Sequence, residues 1–146
     1  MKRIIFMPTD LSQVSLVLIE QTLGAAGNDE LLIVLTFCLY QTDSITELLF
    51  YDKDEFITSL GSRTFKTALQ SLRNKYPDVN AKFNWEVFHG LNQAAFNTFI
   101  IGNQINEAVI PEHYFPLTYS ARHFDPTPYL RKSELKVTQY SVQLAA

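Results

Sequence analysis

The sequence predicts an α/β fold in which a single doubly wound, five-stranded parallel sheet is covered by helices on both faces. Three observations carry this. Short continuous apolar runs, Ile4–Met7 and Leu31–Phe37, have the composition of strands buried on both sides. Segments with apolar residues at helical spacing separate the strand-like runs, so that strand and helix alternate along the chain. Turn and capping residues such as Pro8, Gly24, Gly27 and Pro77 fall between the two kinds of segment.

Ile4–Met7 reads as a central strand, stopped by the turn-forming Pro8-Thr9-Asp10. Asp10 or Ser12 is placed to cap the next helix, whose expected apolar stripe is Val14, Val17 and Leu18, widened by Leu16 and Ile19. That helix should end near Gly24 or Gly27. Leu31–Phe37 is the second strand. From Thr42 to Asp54 the pattern is mixed, and Ser44 with Glu47 has the spacing of a capping box that would open a short helix. Ile57, Leu60, Phe65, Ala68, Leu69, Leu72 and Tyr76 then recur at helical spacing between Glu55 and Tyr76, with Pro77 as the stop and Gly61 as a weak point.

Lys82–His89 alternates, with Phe83, Trp85, Val87 and His89 on one face and Lys82, Asn84, Glu86 and Phe88 on the other, as in a strand near a sheet edge. Asn92 suits the cap of a helix carrying Ala95, Phe96, Phe99 and Ile100, and Asn106–Ile110 makes the fourth strand. Thr127-Pro128 suits an N-cap and first helical position, with that helix running to about Ser133. Val137–Leu144 closes the chain as an edge strand with Thr138, Tyr140, Val142 and Leu144 facing one way.

At 146 residues, 47% of them apolar, residues 1–146 are expected to form one domain. Twelve basic and fifteen acidic side chains give a net charge of −3, which provides no electrostatic footprint for nucleic acid or anionic lipid. The lone cysteine, Cys38, lies in an apolar run and allows neither an internal disulfide nor a cysteine zinc site; it reads as a buried thiol. The first apolar run is too short for a signal peptide, and no run approaches the roughly 20 residues that span a bilayer. A cytoplasmic protein with neither membrane nor nucleic-acid partner is expected.

The order of elements and several local motifs resemble the universal stress protein family across nearly the whole chain. Pro8-Thr9-Asp10-Leu11-Ser12 resembles the family's opening, where an aspartate after the first strand lies beside a bound nucleotide. Gly90, the helix after it, and Asn106-Glu107-Ala108-Val109-Ile110 fall in the register of the family's glycine, third helix and fourth strand, and Phe124–Val142 fits its last helix and strand. The resemblance implies strand order 3-2-1-4-5, the adenine nucleotide alpha hydrolase-like architecture, a ligand crevice between the first and fourth strands, and a homodimer. In such sheets ligands sit at the strand carboxyl ends, where the strand order reverses.

ATP-binding members carry glycine, two residues, glycine, nine residues, then glycine and a hydroxyl residue after the fourth strand. Here those positions are Pro111, Tyr114, Phe124 and Asp125. Glycine lets phosphate approach backbone N–H groups; proline removes a donor, the aromatics add bulk and the aspartate repels phosphate. Triphosphate binding is therefore not expected.

Thr9, Asp10, Glu112, His113 and Tyr114 are the candidate ligand-binding residues, grouped around the same crevice. Asp10 serves first as a helix cap and second as a ligand contact, and Glu112 with His113 reads first as ordinary loop polarity and second as an acid/base couple or a hold on a ligand's polar group. His113 and His123, with Glu112 or Asp125, match no metal-ligand spacing, so no metal is expected. Tyr114, Phe115, Tyr119 and Phe124 suit stacking on a flat ligand or plugging a disused pocket. No Gly-x-Ser-x-Gly is present, no catalytic residue is assigned, and no cofactor is expected.

Three functions compete on these residues. The first is a non-catalytic, stress-associated regulatory or ligand-binding module that does not bind ATP and pairs with a second copy through its C-terminal strand. The second is a binder of adenosine or an AMP-like nucleotide through an altered loop. The third is a small hydrolytic enzyme using Asp10, Glu112 and His113. Loss of the glycines favours the first.

Overall fold

Lys2–Pro8 forms β1, and every residue from Ile4 to Pro8 is buried, which is why the strand reads as unbroken apolar sequence. In a computed structural model, residues 2–9, 12–40, 62–90, 92–112 and 124–142 are described. The chain then runs through α1 (Gln13–Gly24), β2 (Glu30–Tyr40), α2 (Ser62–Lys75), β3 (Asn80–Gly90), α3 (Gln93–Gly102), β4 (Glu107–Pro111), α4 (Thr127–Arg131) and β5 (Lys136–Tyr140). All five strands are parallel, in the order β3-β2-β1-β4-β5. The short helix expected from Ser44 and the part of the long helix before Ser62 lie outside the described residues.

Alternate residues of the central strands feed two cores. Ile5 and Met7 of β1, Ile33 and Leu35 of β2 and Val109 of β4 pack with α1 and α2; Ile4, Phe6, Val34, Ala108 and Ile110 pack with α3 and α4. Helices thus cover both faces, as parallel pairing requires.

The buried stripe of α1 is Ser15, Leu18, Ile19, Thr22 and Leu23, displaced from the expected one, while Val14 and Val17 are half-buried. Two hydroxyl residues occupy the buried face because both are bonded: Thr9 Oγ1 donates to Ser15 Oγ at 3.1 Å and Thr22 Oγ1 to Leu18 O at 2.9 Å. Ser12 holds the N-cap position without a side-chain cap bond. Asn92 caps α3 as expected, accepting from Ala95 N at 2.8 Å. At α4 the N-cap is Pro126 rather than Thr127, and Asp125 Oδ1 takes the Thr127 N–H at 2.8 Å.

β3 is an edge strand, yet Phe88, assigned by alternation to the more polar face, is only 4% exposed. Its ring lies 5.3 Å from Phe96, 5.4 Å from Phe99, 5.9 Å from Phe124 and 6.2 Å from Tyr129. β5 ends at Tyr140, short of the expected Leu144; residues 143–146 lie outside the described residues. Tyr140 and Val142 face the α1 core and Val137 the other, as the alternation predicts.

At the amino ends of the strands Arg3 grips Glu107 with both arms, Nη2 to Oε1 at 2.7 Å and Nε to Oε2 at 3.0 Å. Asp29 lies 3.6 Å from Nη1. Hydrogen bonding to Glu107 raises the Arg3 pKa despite partial burial. Asn106 exchanges two further bonds with Ile4 alongside.

Candidate functional site

The sheet splits at its carboxyl end between β1 and β4. The β1–β4 ladder stops at Phe6–Ala108, whereas β1–β2 pairing continues to Pro8–Thr36 and β4–β5 pairing to Pro111–Tyr140. Such a division, where the strand order reverses, is where an open α/β sheet forms a ligand crevice.

On the β1 side the crevice begins at Thr9, which is 4% exposed. Its N–H donates to Thr36 O at 3.0 Å and its hydroxyl to Ser15, so it ties β1 to both β2 and α1. On the β4 side Pro111 is buried in the strand and paired in register with Tyr140. Glu112 follows with an exposed side chain, its N–H donating to Tyr140 O at 2.7 Å. The structure thus brings Thr9 and Glu112 to the two lips of one split. Asp10, His113 and Tyr114 lie outside the described residues.

Phe124 and Asp125 have local roles that the sequence reading missed. Phe124 N donates to Cys38 O at 3.1 Å on β2, and its ring, 7% exposed, fits against Phe88 and Tyr129. Asp125 accepts from Thr127 N in the manner of an Asx turn; the string Asp125-Pro126-Thr127-Pro128 carried that signal. Burial pushes the Cys38 thiol up, and the negative charge of Asp125 adds to the rise. The thiol is therefore held protonated and is no nucleophile at neutral pH.

Among the described residues no group of His, Cys, Asp and Glu is placed to hold a metal ion. No helix of the described residues is long and apolar enough to cross a membrane. A separate cleft of about 440 Å³ lies at the opposite end of the sheet, between the last turn of α2 and the start of β3, and includes Gln70, Arg73, Asn74, Tyr76 and Ala81. Its position takes it out of the crevice chemistry.

No family model matches the sequence, and no curated protein matches it. Solved structures do. A universal stress protein family member from Burkholderia pseudomallei superimposes with a TM-score of 0.56 at 16% identity, covering 95% of this chain and 96% of that one. Universal stress protein UspA from Lactobacillus plantarum gives 0.56 at 14%, covering 94% and 96%. A universal stress protein in complex with cAMP gives 0.50 at 18%, covering 97% and 98%. Identities this low speak to architecture alone, and strand order, layers and neighbours agree that the chain has the fold of the universal stress proteins.

Proposed function

We propose that the chain is a non-catalytic, stress-associated ligand-binding module of the universal stress protein type, a single cytoplasmic domain that holds a small molecule in the β1–β4 crevice and does not bind ATP. Asp10, Glu112, His113 and Tyr114 are the side chains offered to that ligand, with Thr9 bracing the β1 lip from below. The observation that carries the reading is the seat of Phe124. A ring packed against Phe88 and Tyr129 occupies the chain position that the family resemblance assigns to a glycine of ATP-binding members, and Asp125 Oδ1 already accepts the Thr127 N–H. Buried Pro111 offers no backbone donor at the first glycine position.

A thermal-shift series with ATP–magnesium, AMP, cAMP and adenosine tests this. A ligand at 100 times its Kd stabilises by about 2.7 kcal/mol, which moves Tm by about 5–11 °C in a chain of this size. ATP–magnesium should give no shift; a saturable one overturns the reading. The runner-up, an adenosine or monophosphate binder, draws support from the neighbour solved with cAMP and gains the lead if a monophosphate or adenosine alone shifts Tm.

The module is also proposed to pair two-fold through β5. This outer strand carries exposed, uncharged Gln139 and no proline, and the exposed Lys136 guards only its start, so little beyond that end opposes pairing with another strand. Sedimentation at micromolar concentration should give a dimer mass, and a monomer there refutes the interface.

A further inference from the structure

We propose that the outer edge of β3, from Ala81 to Trp85, is a docking strand for an extended acidic segment of a partner protein. β3 is the outermost strand at the side away from β5, and its ladder with β2 uses one side of its backbone. Among the described residues the backbone of Lys82–Trp85 has no partner outside that ladder, and Ala81 O takes only a long contact from Arg73 Nη2 at 3.4 Å. An unpaired edge of this kind accepts a further strand through main-chain hydrogen bonds.

The charge around the edge sets the partner's chemistry. α2 carries Arg63, Lys66, Arg73 and Lys75 between Ser62 and Lys75 and no carboxylate. Lys75 is paired with Glu20 of α1. Lys66 Nζ stands 5.7 Å from the Trp85 ring centroid and Arg73 Cζ 5.8 Å from that of Phe83, so two cations overlook the half-buried aromatic rungs of the edge. Lys82 is exposed on the opposite face of the strand. Among the described residues no carboxylate forms an ion pair with Lys66, Arg73 or Lys82.

A strand laid beside β3 alternates its side chains between the faces. Those on the α2 face stand beside Phe83 and Trp85 beneath Lys66 and Arg73, and carboxylates there meet cations that form no ion pair among the described residues. The cleft of about 440 Å³ shares Arg73 and Ala81 with this edge and gives the end of the segment a polar seat beside Gln70 and Asn74. A second copy paired antiparallel about Asn84 would set Lys82 opposite Glu86. It would also draw two basic helices together, which like-charge repulsion opposes.

The probe is a fluorescein-labelled, end-blocked peptide of five Glu-Val repeats, with five Lys-Val repeats as control, read by anisotropy and amide hydrogen exchange. The acidic peptide should bind and slow exchange at residues 82–85. Its affinity should fall about tenfold or more in 0.5 M salt and in the Lys66→Glu, Arg73→Glu double variant. Both substituted side chains are exposed and give up only the two ring contacts and the long bond to Ala81 O, so that variant should stay folded with a Tm lower by a few degrees. The basic peptide should not bind. Equal binding of the two peptides, no binding at millimolar peptide, or protection at Lys136–Tyr140 instead overturns the proposal, as does a concentration-dependent dimer protected at residues 82–85, which would make a second copy the occupant.

Discussion

Replacing Phe124 by alanine should destabilise the protein by about 3.5 kcal/mol. The residue is 7% exposed, so nearly all of the roughly 150 Å² that a phenylalanine brings to a core leaves water. At about 25 cal/mol per Å² the lost ring is worth about 3.5 kcal/mol, inside the range of about 3–5 kcal/mol for aromatic-to-alanine changes in cores. The edge-on contacts with Phe88 and Tyr129 keep the cost from falling far below that figure, because the remaining rings do not close the gap without moving. For 146 residues the expected fall in Tm is about 7–14 °C. Urea titration gives the free energy, and the amide of Phe124, bonded to Cys38 O, should exchange faster in the variant. A loss below about 1 kcal/mol would refute the seat assigned to this ring and, with it, the main support for a filled phosphate position.

Arg3→Met should cost about 3–5 kcal/mol in urea, because it strands Glu107, 8% exposed, without its cation; Arg3→Met with Glu107→Leu should recover much of that loss. Glu20 has its pKa lowered chiefly by the hydrogen bond from Lys75, so its contribution is full above the unfolded carboxylate pKa and is lost as pH falls through the folded one. Glu20→Gln should therefore flatten part of the acid limb of the stability–pH curve, and an unchanged limb speaks against the pair. Cys38 should resist a thiol-specific reagent in the native protein and react on unfolding; stoichiometric labelling of the folded chain would contradict its burial.

What was legible in the sequence follows from how each residue's surroundings are written in its own polarity. β1 was readable because both its faces are buried, and β3 was readable as an edge because its faces differ. Periodicity misplaces the stripe of α1 because Ser15 and Thr22 are buried through hydrogen bonds inside the protein, which hydropathy does not record. Alternation puts Phe88 on the polar face with Lys82, Asn84 and Glu86, but α3 and Phe124 cover that face near its carboxyl end and bury the ring. The Arg3–Glu107 grip joins residues 104 apart and has no local signature. Strand order came from the family resemblance, since periodicity alone does not order strands. Thr9 and Glu112 follow strands that end on the same side of the sheet, but the ties made by Thr9's hydroxyl and Glu112's N–H join distant residues and have no local signature.

These ties explain how the seam between β1 and β4 stays closed at one end while remaining divided at the other. Its ladder is short, so backbone pairing alone holds these two central strands weakly compared with the neighbouring pairs. The two-armed Arg3–Glu107 pair and the reciprocal Asn106–Ile4 bonds fasten the seam at its amino end, where no crevice is needed. At the carboxyl end each lip is anchored away from the split: Thr9 to Thr36 and Ser15, and Glu112 to Tyr140. These bonds run to the neighbouring strand and helix on each lip's own side of the split. Loosening the amino-end grip should then open the short β1–β4 ladder before the longer neighbouring ones, and in Arg3→Met amide exchange along β4 should rise more than along β2.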